Sequence, residues 1–334
     1  MRCFYCEHRC ELAANSYGVC GMYYAEGGEI RERYPHSWCS YTVSRIESVP
    51  FYHAYPGSRA LTVGTFGCNF RCSYCSNGFI AREDPSGFED RMFRLTPEIL
   101  VETTRKLGCD SIVFNVNEPT MSLPTLLEVS VEARKAGIPM GCLTNAYGTE
   151  ESTELLGSIF SFINVGLKGF SDEVYRKYIG IRSMDPILRN VRRLAGMCRL
   201  EVVTPVIPGV NDFQLDAMAG FLGEIDCRIP WHVFRLLPEH EMKEAEYPSI
   251  DGINASLASA RKELDHVYFH NFVGSEWVNT VCPACGALAI ERFSLGCGGD
   301  RLHALHCKDG RCAACGGDIP LLTSAAQGGE REAA

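Results

Sequence analysis

Cys68, Cys72 and Cys75 form a C-x3-C-x2-C loop directly after the apolar run 60–66. The pairing is restrictive. The run reads as a buried strand, so the fold must bury it and present three thiols at its end. Thiolates are the usual protein ligands of iron–sulfur clusters, and a [4Fe–4S] cube normally takes four of them. A loop that supplies three leaves one iron open to a small molecule. The alternative is a zinc knuckle or three unrelated core thiols. Structural zinc, however, normally takes paired C-x2-C elements.

With 334 residues, the chain has room for one barrel-sized domain and a small satellite, and 46% hydrophobic residues provide a large core. The formal net charge is −9 and there is no long basic run, so bulk nucleic acid is not an expected partner. No stretch is apolar over the length of a membrane span, and the N-terminus lacks a signal-peptide apolar region. A cytoplasmic protein is expected. Eighteen cysteines would fit a disulfide scaffold. The missing export signal and the clustering of the thiols favour metal sites in a reducing, low-oxygen cytosol instead.

Residues 1–58 form a Cys-rich N-terminal segment. It opens with C-x2-C-x3-C-x9-C, namely Cys3, Cys6, Cys10 and Cys20, flanked by Gly18 and Gly21. Four thiols in one short arm read as a second metal site, iron–sulfur or zinc. Residues 23–58 are aromatic and irregular, and end in the turn Pro56-Gly57-Ser58. From residue 60 a strand-then-helix rhythm appears, which predicts a parallel sheet. Strands are expected at 60–66, 111–116, 138–143, 162–167, 200–207 and 229–236. Helices are expected after Thr96, Ser122, Thr149, Asp212 and near 171–178, 185–196 and 251–264. Six units over 59–275 predict a partial (β/α)6 TIM-like barrel of the α/β class. The run 267–270 is expected at one edge.

The distinctive polar residues fall after the strands, where parallel α/β barrels keep their chemistry. Asn117-Glu118-Pro119-Thr120 follows the second strand and Thr144-Asn145 the third. Lys168 follows the fourth and Pro208-Gly209-Val210-Asn211-Asp212 the fifth. His232 and Arg235 lie on the sixth. Singly, each has an ordinary reading as a turn, a cap or a core histidine; together they predict a site.

These motifs, with the cysteine loop, Leu143-Thr144-Asn145-Ala146, Gly166-Leu167-Lys168 and Pro230-Trp231-His232, resemble the radical S-adenosylmethionine (SAM) branch called AmmeMemoRadiSam. That branch is related to the activating enzymes of glycyl-radical proteins. The resemblance extends over almost the whole chain. It implies a radical SAM barrel, a [4Fe–4S] cluster on Cys68, Cys72 and Cys75, and SAM on the open iron. By the same resemblance Tyr74 would meet adenine through its backbone, and Asn117 and Glu118 would hold the SAM amino group. Thr144 and Asn145 would face the ribose or methionine, and Lys168 would pair with the carboxylate. The stretch from Val206 to Pro208 would lie along the adenine. Pyruvate formate-lyase activases carry two aspartates that help hold a monovalent cation beside SAM; Leu143 and Gly166 stand there in this sequence. The cation site is therefore not expected, and strict glycyl-radical activation is a weaker inference than SAM cleavage.

Residues 276–322 read as a small zinc-ribbon or rubredoxin-like unit. Cys282, Cys285, Cys312 and Cys315 form two C-x2-C knuckles, a strong signal for zinc or rubredoxin-type iron. Cys297, Cys307, His303 and His306, between the knuckles, are read as spare or alternative ligands. Residues 323–334 are expected to be a disordered tail.

The leading expectation is an enzyme that reductively cleaves SAM to a 5′-deoxyadenosyl radical, which takes hydrogen from a protein or small-molecule substrate. His232 and Arg235 are candidate substrate contacts, and a flavodoxin or ferredoxin is the expected electron donor. The alternatives are a non-catalytic iron–sulfur carrier and an RNA-modifying radical SAM enzyme that grips RNA with its C-terminal ribbon.

Overall fold

The computed structural model describes residues 1–13 and 16–323, so all but the first residue of the expected tail lies outside the described residues. Its body is one eight-stranded sheet. The strands are β1 (Ser40–Arg45), β2 (Arg59–Gly64), β3 (Ser111–Phe114), β4 (Met140–Thr144), β5 (Phe162–Gly166), β6 (Arg199–Val206), β7 (Trp231–Arg235) and β8 (Val267–His270), and they lie side by side in chain order. All neighbours from β2 to β8 run parallel; β1 pairs antiparallel with β2, from Ser40 opposite Gly64 to Arg45 opposite Arg59. The edges β1 and β8 do not pair with each other, as in a partial barrel. The sheet thus carries seven parallel strands rather than six. The run at 267–270 takes the far edge, and 40–45, within a stretch read as irregular, is the antiparallel strand at the other.

The strand sequences account for this architecture. Ser111-Ile112-Val113-Phe114 and Phe162-Ile163-Asn164-Val165-Gly166 are buried at every position, the mark of parallel strands covered on both faces. The crossovers are α1 (Pro97–Lys106), α2 (Leu123–Lys135), α3 (Glu150–Ile159), α4 (Asp185–Ala195), α5 (Leu215–Ile225) and α6 (Ile250–Ala260). Their starts are encoded locally. The Thr96 side chain accepts from Ile99 N with Pro97 as first residue, and the Thr149 side chain accepts from Ser152 N.

At the C-terminus, β9 (Thr280–Val281), β10 (Leu288–Ser294) and β11 (Asp300–Leu305) form a small antiparallel sheet with its own apolar cluster around Ala289, Ile290 and Ile319. This ribbon sends polar side chains into the body. The carboxylate of Glu201, on β6, accepts from the backbone of Tyr52 and His53 at 2.9 and 3.0 Å and lies 2.6 Å from His232 Nε2. The other nitrogen of His232 is 2.6 Å from His270 Nε2, and His270 Nδ1 is 2.5 Å from Asp300 Oδ2. Tyr52 donates its hydroxyl to the same Asp300 oxygen at 2.9 Å, and Arg292 donates to the Tyr52 carbonyl at 2.8 Å. Buried charge survives only when it is paired and hydrogen-bonded. The relay from Glu201 to Asp300 meets that condition and fastens the ribbon to the floor of the body. His53 is also here, bonded to Tyr268 and to the Pro320 carbonyl.

Burial holds the His270 imidazole down to about 4, against an upward pull from Asp300. Its folded pKa lies below its unfolded value near 6.5. The stability it contributes is therefore present above that value and is lost as pH falls toward 4. We expect His270→Asn to be clearly less stable than the wild type at pH 7, with the gap narrowing by roughly 1–2 kcal/mol at pH 5. Urea unfolding at the two pH values measures it; a gap that widens on acidification contradicts the assignment.

Candidate active site and metal centres

The loops leaving the C-terminal ends of β2 to β8 enclose a cavity of about 390 Å³, lined by Cys68, Cys72 and Cys75 together with Tyr74, Asn117, Glu118, Thr144, Asn145, Lys168 and Arg235. The cavity is thus assembled from seven strands and the loops that leave them, and its volume is in the size range of small-molecule sites. Two expected residues are elsewhere. Pro208 is not among the lining residues, where Val203 and Pro205 represent β6. His232 is fully buried in the Glu201–His270 relay and does not line the cavity. It is directed like Phe234, which does line the cavity, but one pleat deeper in the strand. Arg235, at the strand end, keeps its place. Its backbone N–H and its Nε donate to the side chain and carbonyl of Asn271, both at 3.1 Å.

Asn117 and Glu118 are spent on the protein itself. The Asn117 carboxamide accepts from Thr65 N at 2.9 Å and donates to the carbonyls of Phe66 and Gly67 at 2.9 and 3.0 Å, so it holds the strand end that leads into Cys68. The Glu118 carboxylate accepts from Thr120 Oγ1 (3.1 Å), Thr144 Oγ1 (2.8 Å) and Asn145 N (2.8 Å). Burial nevertheless raises its pKa, because these donors only partly replace water. Asn145 Nδ2 donates to Asn69 Oδ1 at 2.6 Å and reaches Cys68 Sγ at 3.8 Å.

Cys72 is buried and Cys68 and Cys75 are half-buried, and as thiolates they repel one another. Burial drives Cys68 well above the ordinary thiol range, with Glu118 and Cys72 adding to the rise. Cys72 is pushed up to about 11 by burial, against the pull of Lys168. Three sulfurs that face one cavity, two of them (Cys68 and Cys72) held toward the protonated form, are a donor set for a soft cationic centre, which supplies the charge that ionises them. The residues fit an iron–sulfur cluster.

Sequence reasoning missed the supporting asparagines. Asn77 lies two residues beyond Cys75 and donates to the Val116 carbonyl at 3.0 Å. Val116 lines the cavity with φ of +81°, a left-handed conformation unusual for a β-branched residue. Such strain costs on the order of 1–3 kcal/mol and collects at functional sites. Val116→Gly is expected to raise the melting temperature or leave it unchanged in a thermal scan; a drop of several degrees argues against strain here.

The ribbon holds a second donor set. Cys282 Sγ lies 3.7 Å from Cys315 Sγ and Cys285 Sγ 3.8 Å from Cys312 Sγ, with all four within 4.8 Å of one another. Sulfurs about 2.3 Å from a tetrahedral ion stand about 3.8 Å apart, so this quartet fits one zinc or iron ion. Each knuckle closes through a glycine at positive φ, Gly286 and Gly316, both +72°. Among the described residues, no other group of three or more possible ligands closes so tightly; Cys297, Cys307, His303 and His306 are outside it. A unit with so small a core depends on its metal. Stripping the ribbon metal with a chelator is expected to release one ion per ribbon and greatly speed amide hydrogen exchange across 280–320. Unchanged exchange after metal loss overturns that dependence.

Residues 62–222 match the model of the radical SAM superfamily. An uncharacterized protein of Methanocaldococcus jannaschii is 28% identical over 336 residues, covering 96% of each chain. Another protein of that organism, provisionally named as a glycyl-radical enzyme activating enzyme, is 22% identical over 233 residues, covering 66% of this chain and 92% of its own. The crystal structure of Streptococcus suis SuiB bound to S-adenosylmethionine aligns with a TM-score of 0.49 at 13% identity, over 65% of this chain and 51% of that one. None of the described helices is long and apolar enough to cross a membrane. Residues 62–222, with the thiol loop near their start, carry a radical SAM domain, and that match together with the activating-enzyme relatives makes the chain an enzyme.

Proposed function

We propose that Cys68, Cys72 and Cys75 hold a site-differentiated [4Fe–4S] cluster and that the chain binds SAM beside it. The observation that carries this reading is the three-thiol loop facing a cavity built from the strand ends. When bound, the cluster and SAM supply a 5′-deoxyadenosyl radical, which abstracts hydrogen from substrate.

The protein's own side chains bind and orient. Lys168 brings a cation to the cavity, 5.7 Å from the Tyr74 ring centre, and is the partner for the SAM carboxylate. Tyr74 supplies backbone at the adenine end, and Thr144 and Asn145 face the ribose or methionine. Asn117 and Glu118 are positioning residues as well as wall, because their polar atoms already hold the loops that carry Cys68 and Asn145. Pro205 takes the place of Pro208 along the adenine. Arg235 faces the substrate side, and His232 acts through the floor beneath it.

The substrate we propose is a polypeptide, with a flavodoxin or ferredoxin as reductant. Large apolar side chains stand exposed on the loops after the strands: Phe79 at 58%, Phe213 at 73%, Tyr247 at 58% and Val273 at 67%. Exposed apolar groups on the loops at the cavity end of the sheet support a surface that meets another macromolecule. The name of the activating-enzyme relative points the same way. The chain's segments divide, in this reading, into the Cys-rich arm, the radical SAM body over 59–275 and the metal ribbon.

An anaerobic assay with SAM and dithionite tests the proposal. The wild type is expected to release 5′-deoxyadenosine and methionine, Cys68→Ala/Cys72→Ala/Cys75→Ala to release none, and Lys168→Ala to need roughly 10- to 100-fold more SAM, the loss of one charge-assisted contact. Release by the triple variant contradicts the assignment.

A further inference from the structure

The arm cysteines Cys3, Cys6, Cys10 and Cys20 are packed against the thiol loop and have no part in the reading above. The arm grips the residues on both sides of Cys68. On one side, the Cys20 carbonyl oxygen is 2.6 Å from where a Cβ on Gly67 would stand, and Gly67 has φ of +78°, so only glycine fits before Cys68. On the other side, His8 Nε2 is 2.7 Å from the Asn69 carbonyl oxygen. Glu7 N donates to the Tyr147 carbonyl at 3.1 Å, and Cys6 forms a β-bridge with Gly148, beside the Thr144-Asn145 turn.

Within the arm the four thiols are electrostatic neighbours of one another. Cys3 N donates to the Cys10 carbonyl at 2.8 Å, and Val19 N lies 3.5 Å from Cys10 Sγ. The Cys20 thiol interacts with those of Cys3 and Cys10, and the Cys6 thiol with those of Cys20 and Cys3. Yet they do not draw within 4.8 Å of one another as the ribbon quartet does. A single tetrahedral ion pulls its sulfurs together; a cubane, with an iron at each corner, holds them farther apart. Nor do the three loop thiols all close within 4.8 Å of one another.

Asn69 is the link between the two groups. It is 3% exposed, and its Oδ1 accepts from Asn145 Nδ2, the donor that also reaches Cys68 Sγ. Its Nδ2 is buried, completes no hydrogen bond among the described residues and is oriented to act on the Cys6 thiol. A buried N–H left without an acceptor beside a cysteine is accounted for by a metal-bound thiolate, a stronger acceptor than a thiol.

We propose that Cys3, Cys6, Cys10 and Cys20 ligate a second [4Fe–4S] cluster, joined through Asn69 to the cluster on Cys68, Cys72 and Cys75. This rests on the reading of the loop as a cluster site. With four protein ligands the arm cluster has no open iron and serves as an electron carrier. In each transfer the arm cluster loses one electron and the loop cluster gains one. A low-potential one-electron donor of the flavodoxin or ferredoxin type restores the arm cluster, and no bond is made or broken.

Anaerobic reconstitution of the full chain, followed by sulfide and metal counts and electron paramagnetic resonance of the dithionite-reduced protein, tests this. Inorganic sulfide excludes any ribbon ion from the count. The wild type is expected to hold about eight sulfides, and the loop variant Cys68→Ala/Cys72→Ala/Cys75→Ala and the arm variant Cys3→Ser/Cys6→Ser/Cys10→Ser/Cys20→Ser about four each. The loop variant should show a cluster signal that SAM leaves unchanged, and the arm variant one that SAM shifts. Wild-type lines should be broadened by coupling between the two reduced clusters. About four sulfides in the wild type, zinc bound by the arm, or wild-type lines identical to those of the arm variant would overturn the proposal. If the loop reading itself is wrong, the arm variant is the one that lacks sulfide or ignores SAM.

Discussion

Asn117 and Glu118 stand side by side after β3, and the rim depends on their hydrogen bonds. One carboxamide holds the carbonyls of Phe66 and Gly67; one carboxylate gathers Thr120, Thr144 and Asn145. A parallel sheet brings its loops to one end but leaves them independent of each other. These two side chains join the loops after β2, β3 and β4 into one wall. Both are buried, so each bond lost would strand a partner away from water, at a cost on the order of 1–3 kcal/mol. The thiol loop is positioned by this wall and by the arm that clasps Gly67 and Asn69.

A second buried polar system works at the opposite depth of the sheet. Glu201, His232, His270 and Asp300 form a chain from β6 to the ribbon. The ring of Phe234, stacked on His270 with centres 4.6 Å apart, separates this floor from the cavity that it lines. The four thiols of the ribbon, the charge in the floor and the shape of the cavity are therefore mechanically continuous. Asp300 and Arg292 reach the floor from the same small sheet whose fold depends on its four thiols.

Much of this was legible in the sequence where the signal was local. Continuous apolar runs gave the parallel strands, and Thr-Pro and Thr-Glu starts gave the helices. Polar residues after strand ends gave the rim, and the doubled C-x2-C gave the ribbon quartet. What depended on depth was not legible. His232 and Arg235 lie three residues apart on one strand, and only the pleat and the strand end separate a floor residue from a cavity residue. Residues 40–45 carry no strong periodic pattern, and their strand forms because β2 leaves an edge to be paired. Asn69 and Asn77 sit inside or beside the cysteine motif, but their roles arise from contacts with Asn145, Cys6 and Val116, far away in the chain.

The central claim is that one iron of the loop cluster is left open to an outside chelator. Electron–nuclear double resonance of the reduced protein, with SAM carrying ¹⁵N in its amino group, tests it most directly. A hyperfine coupling from that nitrogen to the cluster spin is the predicted result. A cluster that forms on Cys68, Cys72 and Cys75 yet shows no such coupling at saturating SAM contradicts the account.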